Sequence, residues 1–397
     1  MLKDIQQLHK IAGSNSRQII GLMSGTSLDG LDVAMCKISG SGIDTKVKLM
    51  EFATVPYSEK ERQHILQVFA KKAVDFPYLC ALNAWVGDLH AYMILSCLEK
   101  WGLKPDSVDL IASHGQTVMH APAHQHHFSG FPDSTLQIGD GDRIAVRTGI
   151  ITISDFRQKQ LAAGGEGAPL AVYGDFLMFS HAVENRIMLN IGGIANFTLL
   201  PSGQVFEHVM VTDTGPGNTM MDAYMKKHFN RPFDINGEMA AKGKIHTPLL
   251  KALKSHPFFT LHPPATTGPE VFNTEYLEYA KDKSNSKSLS HDDTLATLNR
   301  FSAETIADAV NRAAGNTSYD IYISGGGAQN SVLIQNLVGL LPSHKLRNSN
   351  LLTMPTDAKE AVLFAVLANE CVAGNSSYGT GKERLPVISM GKISLPY

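Results

Sequence analysis

The chain has 397 residues, 43% of them hydrophobic, with 35 basic and 37 acidic side chains and a net charge of −2. That length suggests two or three folding units, and the balanced charge lacks the basic excess that nucleic acid or an anionic membrane requires. No run reaches the ~18 apolar residues of a membrane span, the stretch MLKDIQQLHKIAGSNSRQ is too polar for a signal peptide, and Cys36, Cys80, Cys97 and Cys371 form no CxxC. A cytoplasmic protein with free thiols is expected.

In chain order, IIGLM, SGTSLDG and LDVAMCKI predict strand, small polar turn and strand between Arg17 and Gly40. Ser58–Gly102 is rich in helix formers and predicts helix. Val108–Ser113 predicts a buried strand that ends in a polar loop, HGQT, and the histidine-rich stretch His120–Asp133 predicts a surface loop. Ile187–Leu200 repeats the opening pattern as IMLNI, GGIAN and FTLL, which hints at a duplicated domain. Thr219–Phe229 reads as helix, and the polar stretch Lys281–Ser290 as a flexible loop. Tyr319–Gly327 is a third strand feeding a glycine turn, followed by helices over Ala328–Leu341 and Ala358–Glu370. Strands alternating with helices make this an α/β protein.

Four loops of small residues carry the chemical signal: Ser24–Gly30, Leu161–Leu170 (LAAGGEGAPL), Asp213–Asn218 (DTGPGN) and Ser324–Gly327 (SGGG). Glycine lets backbone N–H groups approach a phosphate closely, and hydroxyls add donors. Mg²⁺ can then supply the positive charge. Singly, each loop is equally a tight turn; as a set they point to phosphate. Neither GxxxxGK[ST] nor GxGxxG occurs, so the phosphate geometry is of another kind. Asp213, at the end of HVMVTD, is a candidate general base, with an Asx turn or a helix N-cap as the structural alternative. Asp29 and Asp32 flank a glycine turn and either reach Mg²⁺-bound water or stabilise the turn. Glu360 opens a helix, where a carboxylate suits the positive end of the dipole. His120, His124, His126 and His127 cluster without ligand spacing and read as solvated. His114 follows a buried strand directly, which leaves core hydrogen bonding and substrate contact equally open.

Together the segments GLMSGTSLDGLDVA, ASHGQTV, RTGIITISDFR, AAGGEGAPL, LNIGGIANFTLL, DTGPGNTMMDA, SGGGAQN and AKEAVLFA resemble the anhydro-N-acetylmuramic acid kinases and their levoglucosan kinase relatives, in that family's order from Ile20 to about Gly374. The resemblance implies a two-domain, actin-like ATPase (ribonuclease H-like, duplicated) α/β fold with ATP and Mg²⁺ in a central cleft. Domain I would be 1–154 plus 375–397, and domain II 155–374. Gly25, Thr26, Ser27, Leu28, Asp29, Gly30, Leu31 and Asp32 would form the first phosphate loop. Thr214, Gly215, Gly217 and Asn218 would begin the second, and Gly325, Gly326 and Gly327 would lie by the nucleoside. Asp213 matches the catalytic aspartate, Asp29 and Glu360 the metal-side carboxylates. His114, Gln116, Asp155, Arg157, Glu166 and Asp175 are the expected substrate contacts. The reaction implied is hydrolytic opening of a 1,6-anhydro sugar with phosphorylation of its 6-oxygen. The alternatives are levoglucosan phosphorylation and a catalytically impaired nucleotide-binding relative. The chain departs from the family pattern at Gln160, Glu166, Ala265, Pro269 and Asp175. No nucleic-acid or membrane partner is expected, and association as a homodimer is left open.

Overall fold

The computed structural model describes residues 2–348, 355–374, 381–382 and 385–397. Contacts divide the chain into two compact units, Met1–Phe179 with Val205–Glu207 and Asp357–Tyr397, and Ser180–Gln204 with His208–Thr356. The sequence reading sets its limits at 154 and 375.

The chain starts α1 (Lys3–Ala12), β1 (Ser16–Ser24), β2 (Gly30–Ser39), β3 (Lys46–Pro56), α2 (Glu59–Leu66), α3 (Phe76–Lys100) and β4 (Leu110–Ala121). It continues α4 (Ala123–His126), β5 (Ser134–Ile138), α5 (Gly141–Thr148), β6 (Thr152–Ser154), α6 (Phe156–Ala162) and α7 (Ala171–Phe179). The second unit holds β7 (Arg186–Ile191), β8 (Ile194–Leu200), β9 (Met210–Pro216), α8 (Thr219–Phe229), α9 (Thr247–Leu253) and α10 (Thr274–Lys283). It ends with α11 (His291–Ala314), β10 (Asp320–Ser324), α12 (Ser331–Leu340) and β11 (Lys345–Asn348). The return to the first unit brings α13 (Lys359–Ala373), β12 (Gly381–Lys382), β13 (Leu385–Pro386) and β14 (Lys392–Ser394).

Among the described residues the first sheet runs β14-β6-β4-β1-β2-β3, with β5 on β4, and the second runs β11-β10-β7-β8-β9. In the first, β1–β2 and β2–β3 are antiparallel while β1–β4 and β4–β6 are parallel. In the second, β7–β8 and β8–β9 are antiparallel while β7–β10 and β10–β11 are parallel. Five strands thus recur in the same order and the same directions. The repeated sequence pattern is a repeated fold, the duplicated α/β architecture of the actin-like class.

Ile20 and Leu22 of β1 and Val33 of β2 pack with Met93, Ile94 and Cys97 of α3 on one face. On the other face α13 crosses β1 so closely that a Cβ on Gly21 would meet the Ala361 carbonyl. Burial on both faces explains why β1 reads as a continuous apolar run rather than an alternating one. In the second unit Ile187, Leu189 and Ile191 of β7 pack with Ile306 and Val310 of α11 and Leu333 of α12. A further cluster joins Met221 and Tyr224 of α8, Leu249 of α9 and Phe301 of α11. Among the described residues no helix is long and apolar enough to cross a membrane.

Two expectations are corrected. HGQT is not a loop: β4 continues to Ala121 and pairs with β5, its buried polar side chains being satisfied by side-chain partners. Lys281–Ser290 is a loop only in part, since α10 runs to Lys283 and two of its polar side chains are buried. Lys281 is buried with its ammonium 5.1 Å from the Tyr224 ring centroid, and Ser286 Oγ lies 2.7 Å from Ser284 Oγ and 3.2 Å from His246 Nδ1. A polar run looks exposed in sequence because its mutual hydrogen bonds are invisible there.

Candidate active site

The first loop joins β1 to β2. Its stems are tied by Ser24 Oγ, 3.0 Å from the Gly30 carbonyl, and by Gln116 Nε2, which donates to the Gly25 carbonyl at 2.9 Å. Leu28 is buried at φ 55°, and Leu31 is wholly buried, so both anchor the loop in the core. A Cβ on Gly30 would meet the Val55 carbonyl. Ser27 Oγ donates to Asp29 Oδ1 at 2.6 Å, and Thr54 Oγ1 to Asp32 Oδ1 at 2.5 Å. Burial holds the Asp32 carboxyl above its usual range, and the nearby charges of Asp29 and Asp357 add to the rise.

Gly25, Thr26 and Ser27 face a cavity of about 320 Å³ whose wall also includes His120, Gln137, Arg157 and Glu360. Arg157 Nε donates to His114 Nε2 at 3.0 Å, and its Nη1 donates to the Gly167 carbonyl at 2.6 Å. His114 Nδ1 bonds the Gly115 carbonyl at 2.8 Å. With a carbonyl at one nitrogen and an arginine donor at the other, His114 is the neutral Nδ1–H tautomer. Burial, reinforced by Arg157, pushes its pKa down to about 3. Burial also lowers Arg157 to about 10, opposed by Glu360. Glu360 is raised by desolvation, and Arg157 and Lys359 counter the rise.

Gln160 is fully buried and shapes the 163–168 loop: its Oε1 accepts from Gly167 N–H at 2.5 Å and its carbonyl from Gly165 N–H at 2.9 Å. Glu166 is half-buried, and its charge favours the protonated form of His120, which burial and Arg157 disfavour. The amide at 160 is therefore a loop brace. Two expected substrate contacts lie in ion pairs away from the cavity wall. Asp155, at φ 60° on the N-cap of α6, accepts from Lys392 Nζ at 2.7 Å. Asp175 is buried, with Oδ1 2.7 Å from Lys359 Nζ.

In the second unit Asp213 lies on β9, paired in register with Asn196. Its N–H donates to the Ala265 carbonyl, and its Oδ2 accepts from Thr267 N–H, both at 2.9 Å. Thr212 Oγ1 bonds Ala265 as well. Segment 265–267 is thus docked by its backbone, whatever side chain stands at 265. Burial raises the Asp213 carboxyl, and the Thr267 hydrogen bond opposes that rise.

The loop that follows spends its donors internally. Gly217, Asn218 and Thr219 N–H groups donate to the carbonyls of Gly193, Gly192 and Gly193 at 2.8, 2.9 and 3.1 Å. Thr214 is buried and its hydroxyl donates to the Ala195 carbonyl at 3.1 Å. Gly215 at φ 121° lies against Phe259, where a Cβ would be 2.9 Å from the ring. A Cβ on Gly217 would meet the Gly192 carbonyl, and one on Gly327 the Ile191 side chain. Gly325 at φ 84° and Gly326 complete the turn, with Asn218 Nδ2 3.3 Å from the Ile191 carbonyl. Asn218 and Gly325–Gly327 therefore do converge, around the β7–β8 turn.

A family model described as anhydro-N-acetylmuramic acid kinase matches residues 17–393. This chain belongs to that family. The anhydro-N-acetylmuramic acid kinase of Pseudoalteromonas atlantica is 53% identical over 400 residues, covering 100% of both chains. That of Pseudoalteromonas translucida is 52% identical over 98% of each, and that of Caldanaerobacter subterraneus 38% identical over 98% of this chain and 100% of its own.

Sequence reasoning passed over two features of this family member. His120 lines the cavity because β4 carries it there; strand alternation could not mark it, since a register shift falls between Thr117 and Met119. Gly192 and Gly193 form the β7–β8 turn, the topological counterpart of the loop Gly25–Asp29 between β1 and β2. The repeated strand–turn–strand pattern pointed to them.

Proposed function

We propose that this chain is an ATP-dependent kinase that opens 1,6-anhydro-N-acetylmuramic acid with water and phosphorylates the freed 6-oxygen, giving N-acetylmuramic acid 6-phosphate. The observation that carries the reading is Asp213. Its Oδ2 is held by Thr267 N–H while Oδ1 has no hydrogen-bond partner among the described residues, and full-length kinship stands behind it. Asp213 takes a proton from water, the water oxygen bonds the anomeric carbon, and the bond from that carbon to the bridging oxygen breaks. The freed 6-oxygen takes the γ-phosphoryl group, and ADP leaves. Positioning supplies most of the catalysis in such a transfer.

The chain's own residues divide that work. Gly25, Thr26 and Ser27 offer N–H and hydroxyl donors to phosphate, and the Gly192–Gly193 turn is its counterpart in the second unit. Gly325–Gly327 and Asn218 face the nucleoside. Arg157, Glu360, His120 and Glu166 form the sugar-facing group, with His114 and Gln116 holding Arg157 and the loop in place. Bound Mg²⁺ would supply charge to the phosphates. Asp29 and Asp32, with Asp357 and Glu360 nearby, are hard oxygen donors; burial raises Asp32 and Glu360, the charges of Asp29 and Asp357 add to the rise at Asp32, and that of Asp32 adds to the rise at Glu360. Among the described residues no three His, Cys, Asp or Glu side chains converge to hold an ion alone. Such a set fits Mg²⁺, which keeps water and phosphate oxygens in its shell.

The test is ADP release by the purified protein with ATP, Mg²⁺ and either anhydro-N-acetylmuramic acid or levoglucosan. Turnover with the amino sugar is expected. Turnover with levoglucosan alone, or with neither, overturns the reading.

A further inference from the structure

Behind the first loop a line of buried polar groups runs on from Gln116 and Ser24 to two residues that no step above uses. Ser24 Oγ lies 2.6 Å from Gln116 Oε1, 3.0 Å from the Gly30 carbonyl and 2.8 Å from Tyr57 Oη. Tyr57 Oη lies 2.8 Å from Nε2 of His90, a fully buried side chain of α3. The proton directions follow from the ends. Gln116 Nε2 faces the carbonyls of Gly25 and Thr117, so its Oε1 faces Ser24. Ser24 then has two acceptors for its single proton, and its lone pair must receive the Tyr57 hydroxyl. With that proton committed, Tyr57 Oη accepts from His90 Nε2–H. His90 is neutral, its Nδ1 a bare lone pair without a partner.

Tyr57 also grips the other stem, because its backbone N–H donates to the Asp29 carbonyl at 3.0 Å. One residue outside every motif thus holds both ends of a five-residue loop whose first three residues, Gly25–Ser27, face the cavity.

We propose that Tyr57, backed by His90, is a positioning residue that holds Gly25–Ser27 in the shape that receives the phosphates of ATP. The inference rests on the kinase reading above, since it takes this loop to bind nucleotide. Losing a buried hydroxyl that serves two partners leaves His90 Nε2–H and Ser24 Oγ unsatisfied, a cost felt in the loop they support.

The experiment measures ATP affinity by calorimetry, together with kcat and the separate KM values for ATP and sugar, for the wild type and the variants Tyr57→Phe, His90→Leu and His90→Gln. Tyr57→Phe should weaken ATP about tenfold and leave the sugar KM near the wild-type value. His90→Leu should weaken ATP less, and His90→Gln, which keeps an N–H for Tyr57 Oη, should recover much of that loss. A folded Tyr57→Phe protein with unchanged ATP affinity and kcat overturns the proposal even if its Tm falls, because a merely structural role moves Tm alone. Equal losses for ATP and sugar also overturn it. Should Tyr57→Phe not fold, the His90 pair decides, and equal ATP affinity in both His90 variants and the wild type overturns it. A wild type that binds no ATP sinks this inference and the kinase reading together. A wild type that turns over, matched by Tyr57→Phe, sinks this inference alone.

Discussion

His114 accepts a hydrogen bond from Arg157 at 3.0 Å while its other ring nitrogen is committed to the Gly115 carbonyl at 2.8 Å. With its Nη1 donating to the Gly167 carbonyl as well, Arg157 is fixed at the cavity wall beside Glu360. His114 thus sits buried behind Arg157, where it can hold the guanidinium. Replacing it with Phe keeps the ring against Phe364, 4.7 Å away between centroids, and removes the acceptor. His114→Phe should lower kcat/KM for the sugar about tenfold with ATP affinity little changed. His114→Gln, which restores an acceptor, should recover part of the loss in the same steady-state assay. A His114→Phe enzyme as efficient as the wild type would show that Arg157 needs no such support.

Asp213→Asn keeps the fold's hydrogen bond from Thr267, since the amide oxygen still accepts, but it cannot take a proton from water. Turnover should fall by about 10²–10⁴-fold, with ATP affinity within a few-fold by calorimetry. Because burial holds the Asp213 carboxyl above its usual range, the acid limb of kcat/KM in the wild type should lie above the midpoint of an ordinary aspartate near 3.9. Full activity in Asp213→Asn would remove the proposed base.

The fold was legible where apolar periodicity and glycine placement agree. The repeat of IIGLM–SGTSLDG with IMLNI–GGIAN announced the duplicated sheet, and Thr219–Phe229 matches α8 residue for residue. Of the candidate site, residue type singled out Gly25–Asp32 after β1, Asp213 on β9 and Arg157 on α6. The site was not legible at Tyr57 and His90, whose partners lie 33 and 33 positions away along the chain, Ser24 on one side and Tyr57 itself on the other. Nor did type alone separate Asp175 from Glu166. Both are acids near one glycine loop, yet the helical register of α7 turns Asp175 inward to Lys359.

That ion pair makes a prediction of its own. Asp175 is almost fully buried and Lys359 partly so, with its ammonium 5.7 Å from the Phe179 ring centroid. Removing one partner of a buried pair leaves an uncompensated charge, worth 3–5 kcal/mol when both are fully buried; the partial exposure of Lys359 reduces that to about 2 kcal/mol. Asp175→Asn should lose about that much stability in urea titration, and adding Lys359→Met should restore some of it. Activity should fall less than stability suggests, because Asp175 is not among the residues that line the cavity. A stable Asp175→Asn protein with lost sugar turnover would instead make Asp175 a substrate contact.

His90 and His114 together set how the protein responds to acid. Burial lowers their folded-state pKa values to about 4 and about 3, against about 6.5 in an unfolded chain. Between those limits the unfolded chain binds protons that the folded chain refuses. The stabilisation is complete above about pH 6.5 and declines as pH falls, by about 1.4 kcal/mol per unit for each histidine. Asp222, raised by burial to about 6, works in the opposite sense, because the folded state binds its proton first. The wild-type slope is thus a difference, and the histidine part is isolated by comparison with His90→Gln/His114→Gln. Urea midpoints measured from pH 7.5 down to 5 should fall more steeply for the wild type than for the double variant. Parallel pH profiles would mean that neither imidazole is held neutral by the fold.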